Sequence, residues 1–424
     1  MIAVLGTLDT KAGEFAYLLE EIRNQGHPAL MIDVGVLEDP PFKPDISAAT
    51  VAEAGGSSLG RLRLNKDRGE AVQTMARGAS IIISQLFADR KIDGVVGMGG
   101  AGGSSIFATA VENLPIGFPK LLVSTMASGD TRELVGTRDL MLMPAVTDIA
   151  GLNRINRRIF SLAAGAICGM AASSYDIATR EKPLIAASML GNSTPAVDVA
   201  RKIFVEAGYE VLAFHAIGAG GRTMEALIGE GLIAGVFDIT TSELTAEVVG
   251  APTSAGSERL KAAGRLGIPQ VVAPGCMDFA IFWSNASIPS EYRHRTLYQW
   301  NSITTLMRTT PEEGIRLGRI LAERINACQG PVTVLVPADG LSLIGAPGQP
   351  FYSPETDAAL IAALKEHLNP GIPLITVDAV LNDPLFARQA AETLLQMLSS
   401  ANESDPVLEM EEEEAAYKAA PSES

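Results

Sequence analysis

A glycine-rich segment at residues 97–105, GMGGAGGSS, has the residue types of a phosphate-binding loop. It lies between an apolar run typical of a strand and a segment typical of a helix, and it contains the pattern G-x-G-x-x-G. Glycines let the backbone approach an anion, which free amides at a helix start and the hydroxyls of Ser104 and Ser105 can bind. The next predicted strand ends in Ser124-Thr125-Met126, without the acidic residue that would bind a ribose, so the pattern disfavours NAD.

The loop after the opening predicted strand offers groups for phosphate or a metal ion. Residues 7–11 combine the Thr7 hydroxyl, the Asp9 carboxylate and the Lys11 amine. These groups could bind phosphate oxygens, and Asp9 could hold Mg²⁺. The structural alternative is that Asp9 caps the following helix while Lys11 is solvated.

A third loop, STMASGD at residues 124–130, is rich in small residues and hydroxyls. Ser124, Met126 and Asp130 could form a wall against a flat ring or a phosphate. Asp130 is equally well explained as a helix cap or a turn former.

The second half of the chain contains a comparable turn at residues 214–225, FHAIGAGGRTME. Its glycines and the following helix start predict a second anion site, to which a neighbouring strand end would add hydroxyls. The residues expected there are Gly218, Gly220, Gly221, Arg222, Thr240 and Thr241. No catalytic residue is assigned, and the candidates are His215, Arg222 and Arg308. A histidine in an apolar strand is, however, often a core residue.

Several catalytic patterns are missing from the sequence. It contains no H-E-x-x-H, no G-x-S-x-G and no G-x-x-x-x-G-K-[ST], which argues against a zinc protease, a nucleophile-elbow hydrolase and a P-loop ATPase. Four histidines and three separated cysteines without C-x-x-C argue against a histidine-rich metal site, a cysteine zinc site and a disulfide framework. An aromatic segment at residues 279–300 shows no regular periodicity, which favours a lid, a dimer arm or an ordinary loop.

These loops can form sites only if the strands before them lie side by side. The apolar pattern predicts such strands in both halves of the chain. A strand, a helix and a second strand over residues 2–35 recur over residues 184–218. Such units place parallel strands side by side, and ligands of open parallel sheets bind at the carboxyl ends of the strands. The sequence therefore predicts an α/β protein with two Rossmann-like, doubly wound parallel-sheet domains related by internal duplication, at residues 1–180 and 181–400. A helix at residues 151–174 is expected to link them.

Composition narrows the choice of partners. The 424 residues are 47% hydrophobic and include 41 glycines, and the net charge is −16. Residues 401–424 carry eight acidic residues and one lysine, which predicts a disordered acidic tail of net charge −7. The acidity disfavours nucleic acid, and no uncharged stretch is long and apolar enough for a membrane span. We expect a cytoplasmic protein that binds a small molecule.

Seven segments, in order, resemble one family. They are GTLDTK, GMGGAGGSS, STMASGD, VTDIAGLNR, FHAIGAGGRTMEALI, DITTSEL and LMRTTPEE. Over residues 1–398 the chain resembles the ATP-binding amino-terminal domain of plant tobamovirus-resistance proteins and its uncharacterised bacterial relatives. The resemblance implies two Rossmann-like domains, a homodimer and binding of ATP with Mg²⁺. By position, it implies ATP phosphates at Gly99, Gly100, Gly102, Gly103 and Ser104, with Thr7, Asp9 and Lys11 nearby.

The chain also departs from the family pattern. Ala101, Ile217 and Ala219 stand where the family is expected to carry hydroxyl residues, and Trp300 stands in place of a histidine. These departures weaken the expectation that the second domain performs the family's chemistry.

Three functional hypotheses follow. The favoured one is an ATP-binding protein. If it is an enzyme, it activates or phosphorylates a small anionic metabolite held between the domains, and its cationic side chains surround the phosphates. A non-catalytic regulatory or inhibitory module, like the plant domain that inhibits a viral replication protein, is the second. A lyase or isomerase that uses no nucleotide is the third.

Overall fold

The computed structural model describes residues 1–173 and 182–403 and divides the chain into two units, Met1–Thr179 and Arg180–Ser424. Each unit has a parallel sheet of its own. The predicted acidic tail lies outside the described residues, apart from residues 401–403, which continue the last helix. In the described ranges, no helix is both long and apolar enough to cross a membrane.

Unit 1 contains a five-stranded parallel sheet of order β2-β1-β3-β4-β5. Its strands are β1 (Ile2–Gly6), β2 (Ala29–Asp33), β3 (Gly94–Gly99), β4 (Lys120–Ser124) and β5 (Met141–Pro144). Its helices are α1 (Leu8–Asn24), α2 (Ala48–Ala54), α3 (Leu59–Asn65), α4 (Arg68–Ala88), α5 (Ala101–Ala110), α6 (Arg132–Val135) and α7 (Arg154–Ala172).

Both faces of this sheet are buried, which explains the continuous apolar runs of its strands. Successive side chains of a strand point to opposite faces. In β1, Val4 therefore packs with Phe160 of α7, whereas Leu5 packs with Met75 of α4. The helix predicted as a linker is thus part of unit 1, where the Tyr17 hydroxyl of α1 lies 2.9 Å from the Ser161 hydroxyl of α7.

Unit 2 contains a six-stranded parallel sheet and a three-stranded antiparallel one. The strands are β6 (Leu184–Met189), β7 (Glu210–His215), β8 (Ile233–Asp238), β9 (Gln270–Val272), β10 (Phe279–Phe282), β11 (Leu297–Asn301), β12 (Thr304–Arg308), β13 (Val332–Pro337) and β14 (Leu374–Val377). The helices are α8 (Thr194–Glu206), α9 (Ala219–Gly229), α10 (Ser242–Val249), α11 (Ala262–Leu266), α12 (Pro311–Asn326), α13 (Pro354–His367) and α14 (Pro384–Glu403).

The two parallel sheets share one strand order, as the predicted duplication requires. Read from its edge, the sheet of unit 2 runs β7-β6-β8-β9-β13-β14, so that β6 corresponds to β1, β7 to β2 and β8 to β3. The order reverses between β1 and β3 in unit 1, and between β6 and β8 in unit 2. At such a reversal the following loops diverge to opposite faces and leave a crevice.

The aromatic segment is the clearest departure from the predicted fold. Residues 279–308 form the antiparallel sheet of order β10-β12-β11 rather than an irregular lid or loop. Its pattern is obscured because β10 is buried throughout while most of β11 is exposed. Helix α1 also begins at Leu8, earlier than the apolar periodicity indicated, with a kink at Lys11.

Candidate functional site

The carboxyl ends of β1 and β3 border a cavity of about 680 Å³ in unit 1, which we call the first cavity. Four segments line it, together with Asp148: the β1–α1 junction at residues 7–11, residues 34–37 after β2, the corner between α3 and α4, and the start of α5. Six residues predicted for nucleotide binding lie along it, namely Thr7, Asp9, Lys11, Gly100, Gly102 and Gly103. The strand-order reversal thus brings together two loops that are about 90 residues apart in the sequence.

The start of α5 has the geometry of an anion-binding helix terminus. Gly100 is the extended N-cap residue, and no side chain accepts a hydrogen bond from the first turn. A Cβ atom on Gly99 would lie 2.9 Å from the Gly103 backbone, so this glycine is needed for packing rather than for ligand contact. A Cβ atom on Gly102 would lie 3.6 Å from the Arg68 guanidinium, which places a cation beside the helix terminus.

Three cationic side chains that line this cavity were not predicted from the sequence as site residues: Arg63, Lys66 and Arg68. Arg63 is held by the Val36 carbonyl at 2.7 Å and the Asp39 carboxylate at 2.9 Å. Within the described residues, the side chains of Lys66 and Arg68 have no hydrogen bond or ion pair. The basic run RLRLNKDR at residues 61–68 was the available signal, but only the fold shows that it faces the glycine-rich loop.

The Asp9 carboxylate binds backbone amides that follow β2 rather than those at the start of α1. Its Oδ2 accepts hydrogen bonds from the amides of Val36 and Leu37, both at 2.8 Å. Its Oδ1 is buried and has no partner among the described residues. Lys11 reaches across to donate to the Ile149 carbonyl at 2.5 Å. No group of three or more potential ligating side chains occurs in the described ranges, so a divalent ion here would take its other ligands from phosphate and water.

An apolar wall completes the first cavity. It is formed by Val34, Val36, Leu37, Leu62, Ala71, Val72, Met75 and Ile106. Ligand cavities of about 300–1,000 Å³ with apolar walls and a few polar groups are typical small-molecule sites. The first cavity therefore offers separate surfaces to a charged group and to a flat apolar one.

The structure places the remaining residues predicted for nucleotide binding elsewhere. The hydroxyls of Ser104 and Ser124 are buried 2.6 Å apart and join α5 to β4. Met126 and Asp130 line a separate cavity of about 460 Å³, the second cavity, beside α5 and α6. Asp130 forms an ion pair with Arg132, whose hydrogen bonds lower the Asp130 pKa to about 2. These four residues do not line the first cavity.

The predicted second anion site already holds a carboxylate of the chain itself. The amides of Gly218 and Gly221 donate to Oε1 of Glu243 at 2.6 and 3.1 Å. Oε2 of Glu243 pairs with the fully buried Arg259 at 2.6 Å. Since a helix terminus binds any anion that reaches it, this turn is satisfied within the fold, and an external anion would have to displace Glu243.

The other residues of that prediction do not converge on one pocket. Gly220 is required by packing, because a Cβ atom there would lie 2.0 Å from the His215 carbonyl oxygen. Thr240 and Thr241 are completely buried. The exposed Arg222 donates to the Ser254 carbonyl at 3.1 Å.

Two of the three catalytic candidates have environments that bear on their roles. His215 is exposed at the end of β7, and partial desolvation lowers its pKa, which favours the neutral form. Arg308 is buried and donates to the carbonyls of Asp278 and Phe351, both at 2.8 Å, and to the Asp357 carboxylate at 2.6 Å. The guanidinium of this catalytic candidate is therefore engaged by groups of the chain itself.

Comparisons with known proteins cover nearly all of the chain. Models described as the N-terminal and C-terminal domains of the uncharacterised protein family UPF0261 match residues 1–176 and 182–398. A UPF0261 protein of Clostridium tetani is 43% identical over 398 residues, which are 94% of this chain and 98% of that protein. One from Rhizobium meliloti is 39% identical, with 92% and 97% covered. The ToMV resistance protein Tm-1(GCR237) of Solanum lycopersicum is 33% identical, with 93% of this chain and 55% of the tomato protein covered.

Proposed function

The chain belongs to the uncharacterised protein family UPF0261, and from that premise we propose that unit 1 binds a nucleotide, ATP with Mg²⁺, in the first cavity. One observation carries the proposal. Four cationic side chains, Lys11, Arg63, Lys66 and Arg68, line the same cavity as the uncapped start of α5 and outnumber its three carboxylates, Asp9, Asp67 and Asp148. In a protein of net charge −16, such a grouping favours a ligand with several negative charges.

Each part of the nucleotide has a matching surface. The amides of the first turn of α5 and the guanidinium of Arg68 would bind phosphate oxygens. The apolar wall, including Leu62 and Met75, would pack against the base. Oδ1 of Asp9 would supply the one protein ligand to Mg²⁺, which screens the phosphate charge when bound.

Whether the bound nucleotide is consumed separates the remaining hypotheses. An enzyme that activates or phosphorylates a small anionic metabolite would turn ATP over. A regulatory module would bind ATP without turnover, a possibility favoured by the 33% identity to a protein named for ToMV resistance. A lyase or isomerase would need no nucleotide. We include a homodimer in the proposal, and analytical ultracentrifugation of the full chain tests it.

Thermal unfolding with and without ATP and Mg²⁺ tests the site. Ligand at 100 times its Kd should stabilise the protein by about 2.7 kcal/mol. Arg68→Ala should weaken ATP binding at least tenfold, because it removes a charge-assisted contact to phosphate. Arg61→Ala is the matched control, since this exposed arginine of α3 lies outside the first cavity.

Two further variants separate loss of binding from loss of folding. Gly102→Leu fits at its Cβ position but extends into the cavity, so it should abolish the ATP shift and leave the unliganded melting temperature nearly unchanged. Asp9→Asn should remove the dependence of binding on Mg²⁺. If no nucleotide shifts the melting temperature, or if Arg68→Ala and Arg61→Ala bind alike, the proposal is wrong.

A further inference from the structure

The crevice in unit 2 that corresponds to the first cavity lies between the carboxyl ends of β6 and β8. From β6 the chain crosses through α8 to β7 on one side, while β8, β9, β13 and β14 extend the sheet on the other. Open parallel sheets bind ligands at this reversal of strand order. The loops that border it, residues 190–193 and 239–242, differ from the cationic first cavity in being uncharged.

Two buried side-chain oxygens in the described part of unit 2 lack hydrogen-bond partners, one in the 190–193 loop and one between β9 and β10. Asn192 is 4% exposed and Asp278 is 0% exposed, and Oδ1 of each accepts no hydrogen bond. No other buried side-chain nitrogen or oxygen in the described part of unit 2 is left in this state. An unsatisfied buried acceptor costs about 1–3 kcal/mol, so two at one place need a physical explanation.

Both residues contact the same loop, residues 340–345, which covers the crevice. The Ser342 hydroxyl donates to Oδ2 of Asp278 at 2.6 Å, and the next amide, of Leu343, donates to the Asn192 carbonyl at 3.1 Å. The Cys276 amide donates to the Leu341 carbonyl at 2.7 Å. Asn192 and Asp278 therefore lie on two sides of one short loop.

Further polar groups connect these two sides. The hydroxyls of Ser193 and Thr240 are 2.7 Å apart, directly across the reversal of strand order. Burial raises the pKa of the Cys276 thiol well above its usual range, and the neighbouring Ser193 side chain acts in the opposite direction. We refer to the whole set as the polar cluster: Asn192, Ser193, Thr240, Cys276, Asp278 and Ser342.

The chemistry of the polar cluster selects against an anionic ligand. It presents acceptors and hydroxyls, and its nearest cation, Arg308, is fully engaged by Asp357 and by backbone carbonyls. A ligand must therefore bring hydrogen-bond donors.

Aromatic rings lie beside the crevice. A Cβ atom on Gly191 would be 3.7 Å from the Trp300 ring. The centre of the Tyr298 ring is 6.3 Å from that of the Phe351 ring, six residues beyond the 340–345 loop. Trp300 is 39% exposed. Such rings offer a flat apolar face to the C–H groups of a ring-shaped polyol.

We propose that the polar cluster is a second ligand site of this protein, which binds a small neutral polyhydroxylated molecule such as a sugar or a cyclic polyol. Ligand hydroxyls donate to Oδ1 of Asn192 and of Asp278 and accept from Ser193 or Thr240. The 340–345 loop opens to admit the ligand and closes over it. The inference is independent of nucleotide binding in unit 1.

Melting temperatures of the full chain, without ATP, test the ligand class. The probes are ribose, glucose and myo-inositol, compared with ribose 5-phosphate, glucose 6-phosphate and the amine tris. At least one neutral polyol should raise the melting temperature in a saturable way. Asn192→Leu preserves the side-chain volume but removes the acceptor, so it should weaken binding of that polyol at least tenfold. Ser342→Ala is the second variant if Asn192→Leu does not fold.

The chain supplies a matched control for the aromatic face. Trp300→Ala should weaken binding of the same polyol, whereas Trp283→Ala should leave that binding unchanged. Trp283 and Trp300 are similarly exposed, at 40% and 39%, but Trp283 follows β10 at the opposite edge of the antiparallel sheet.

Alkylation of Cys276 gives an independent readout of the loop. In a Cys168→Ser, Cys328→Ser background, iodoacetamide should modify Cys276 slowly in the native protein, and the bound polyol should slow it further. The proposal is overturned if none of the three polyols binds, which would leave ordered water as the occupant of the cluster. It is also overturned if only the phosphorylated sugars or the amine bind, or if Asn192→Leu and Ser342→Ala bind the polyol as the wild type does.

Discussion

Glu243 shows that an anion-binding pattern can be satisfied within the chain. The turn before α9 has the glycines and the free amides that the sequence indicated, but its amides bind this carboxylate. Arg259 then forms ion pairs with Glu243, Asp238 and Glu225. The anion that this turn binds is thus a side chain of the chain itself, 22 residues beyond Gly221.

Replacing Glu243 with alanine should destabilise unit 2 by about 3–5 kcal/mol. The substitution leaves Arg259 with an incomplete set of partners in the interior, which is more costly than the pair itself is favourable. Urea unfolding followed by tryptophan fluorescence measures the change, because Trp283 and Trp300 both report on unit 2.

Glu258→Ala is the matched control for this measurement. Glu258 pairs with Lys261 and Arg265 at the surface, where such pairs contribute about 0–1 kcal/mol. Equal effects of the two substitutions would show that the buried ion cluster does not stabilise unit 2.

Close helix packing decides the arrangement of elements on one face of the second sheet. Helices α12 and α13 approach so closely that a Cβ atom on Gly318 would lie 2.4 Å from the Leu360 carbonyl oxygen. The approach brings Leu317 and Leu360 into the core beneath β9 and β13. A capping box between Thr310 and Glu313 sets where α12 begins.

Gly318→Ala should therefore lower the stability of unit 2 by about 1–3 kcal/mol, as overpacking in a close-packed interior does. Gly229→Ala provides the comparison, since nothing lies within 4 Å of its Cβ position at the end of α9. At that position the substitution should leave the stability unchanged or raise it by up to about 1 kcal/mol, because alanine has a higher helix propensity than glycine. Thermal unfolding distinguishes the two, and a neutral Gly318→Ala would contradict the close approach.

The molecule uses one strand order twice and equips the two crevices with different chemistry. Unit 1 surrounds its crevice with cations and a glycine-rich helix start, whereas unit 2 fills its own with neutral hydroxyls, an amide and a carboxyl. In Asp278, burial is the main cause that raises the pKa to about 6, with Arg308 opposing it and Asp357 adding to it. The duplicated fold thus does not imply a duplicated ligand.

Because every residue of the first cavity lies between Thr7 and Asp148, a fragment of residues 1–176 should bind ATP–Mg²⁺ with a Kd within about threefold of the full chain. Its sheet and both of its core clusters are formed within unit 1, so we expect the fragment to fold. Isothermal titration calorimetry on both proteins measures the two values. A folded fragment that fails to bind, beside a full chain that binds, would show that unit 2 contributes to the site.

Local pattern was enough to predict the α/β class, the doubling and the positions of the loops after β1, β3 and β7, because apolar periodicity and glycine turns depend on neighbours in the sequence. It also placed Gly100, Gly102 and Gly103 at a helix start. Folding alone assigned Arg68 to that loop and made the Glu243 carboxylate the anion bound by the other, and it turned residues 279–308 into an antiparallel sheet. These outcomes depend on which strands become neighbours and on which charges are buried together, and such long-range contacts leave no periodic trace in the sequence.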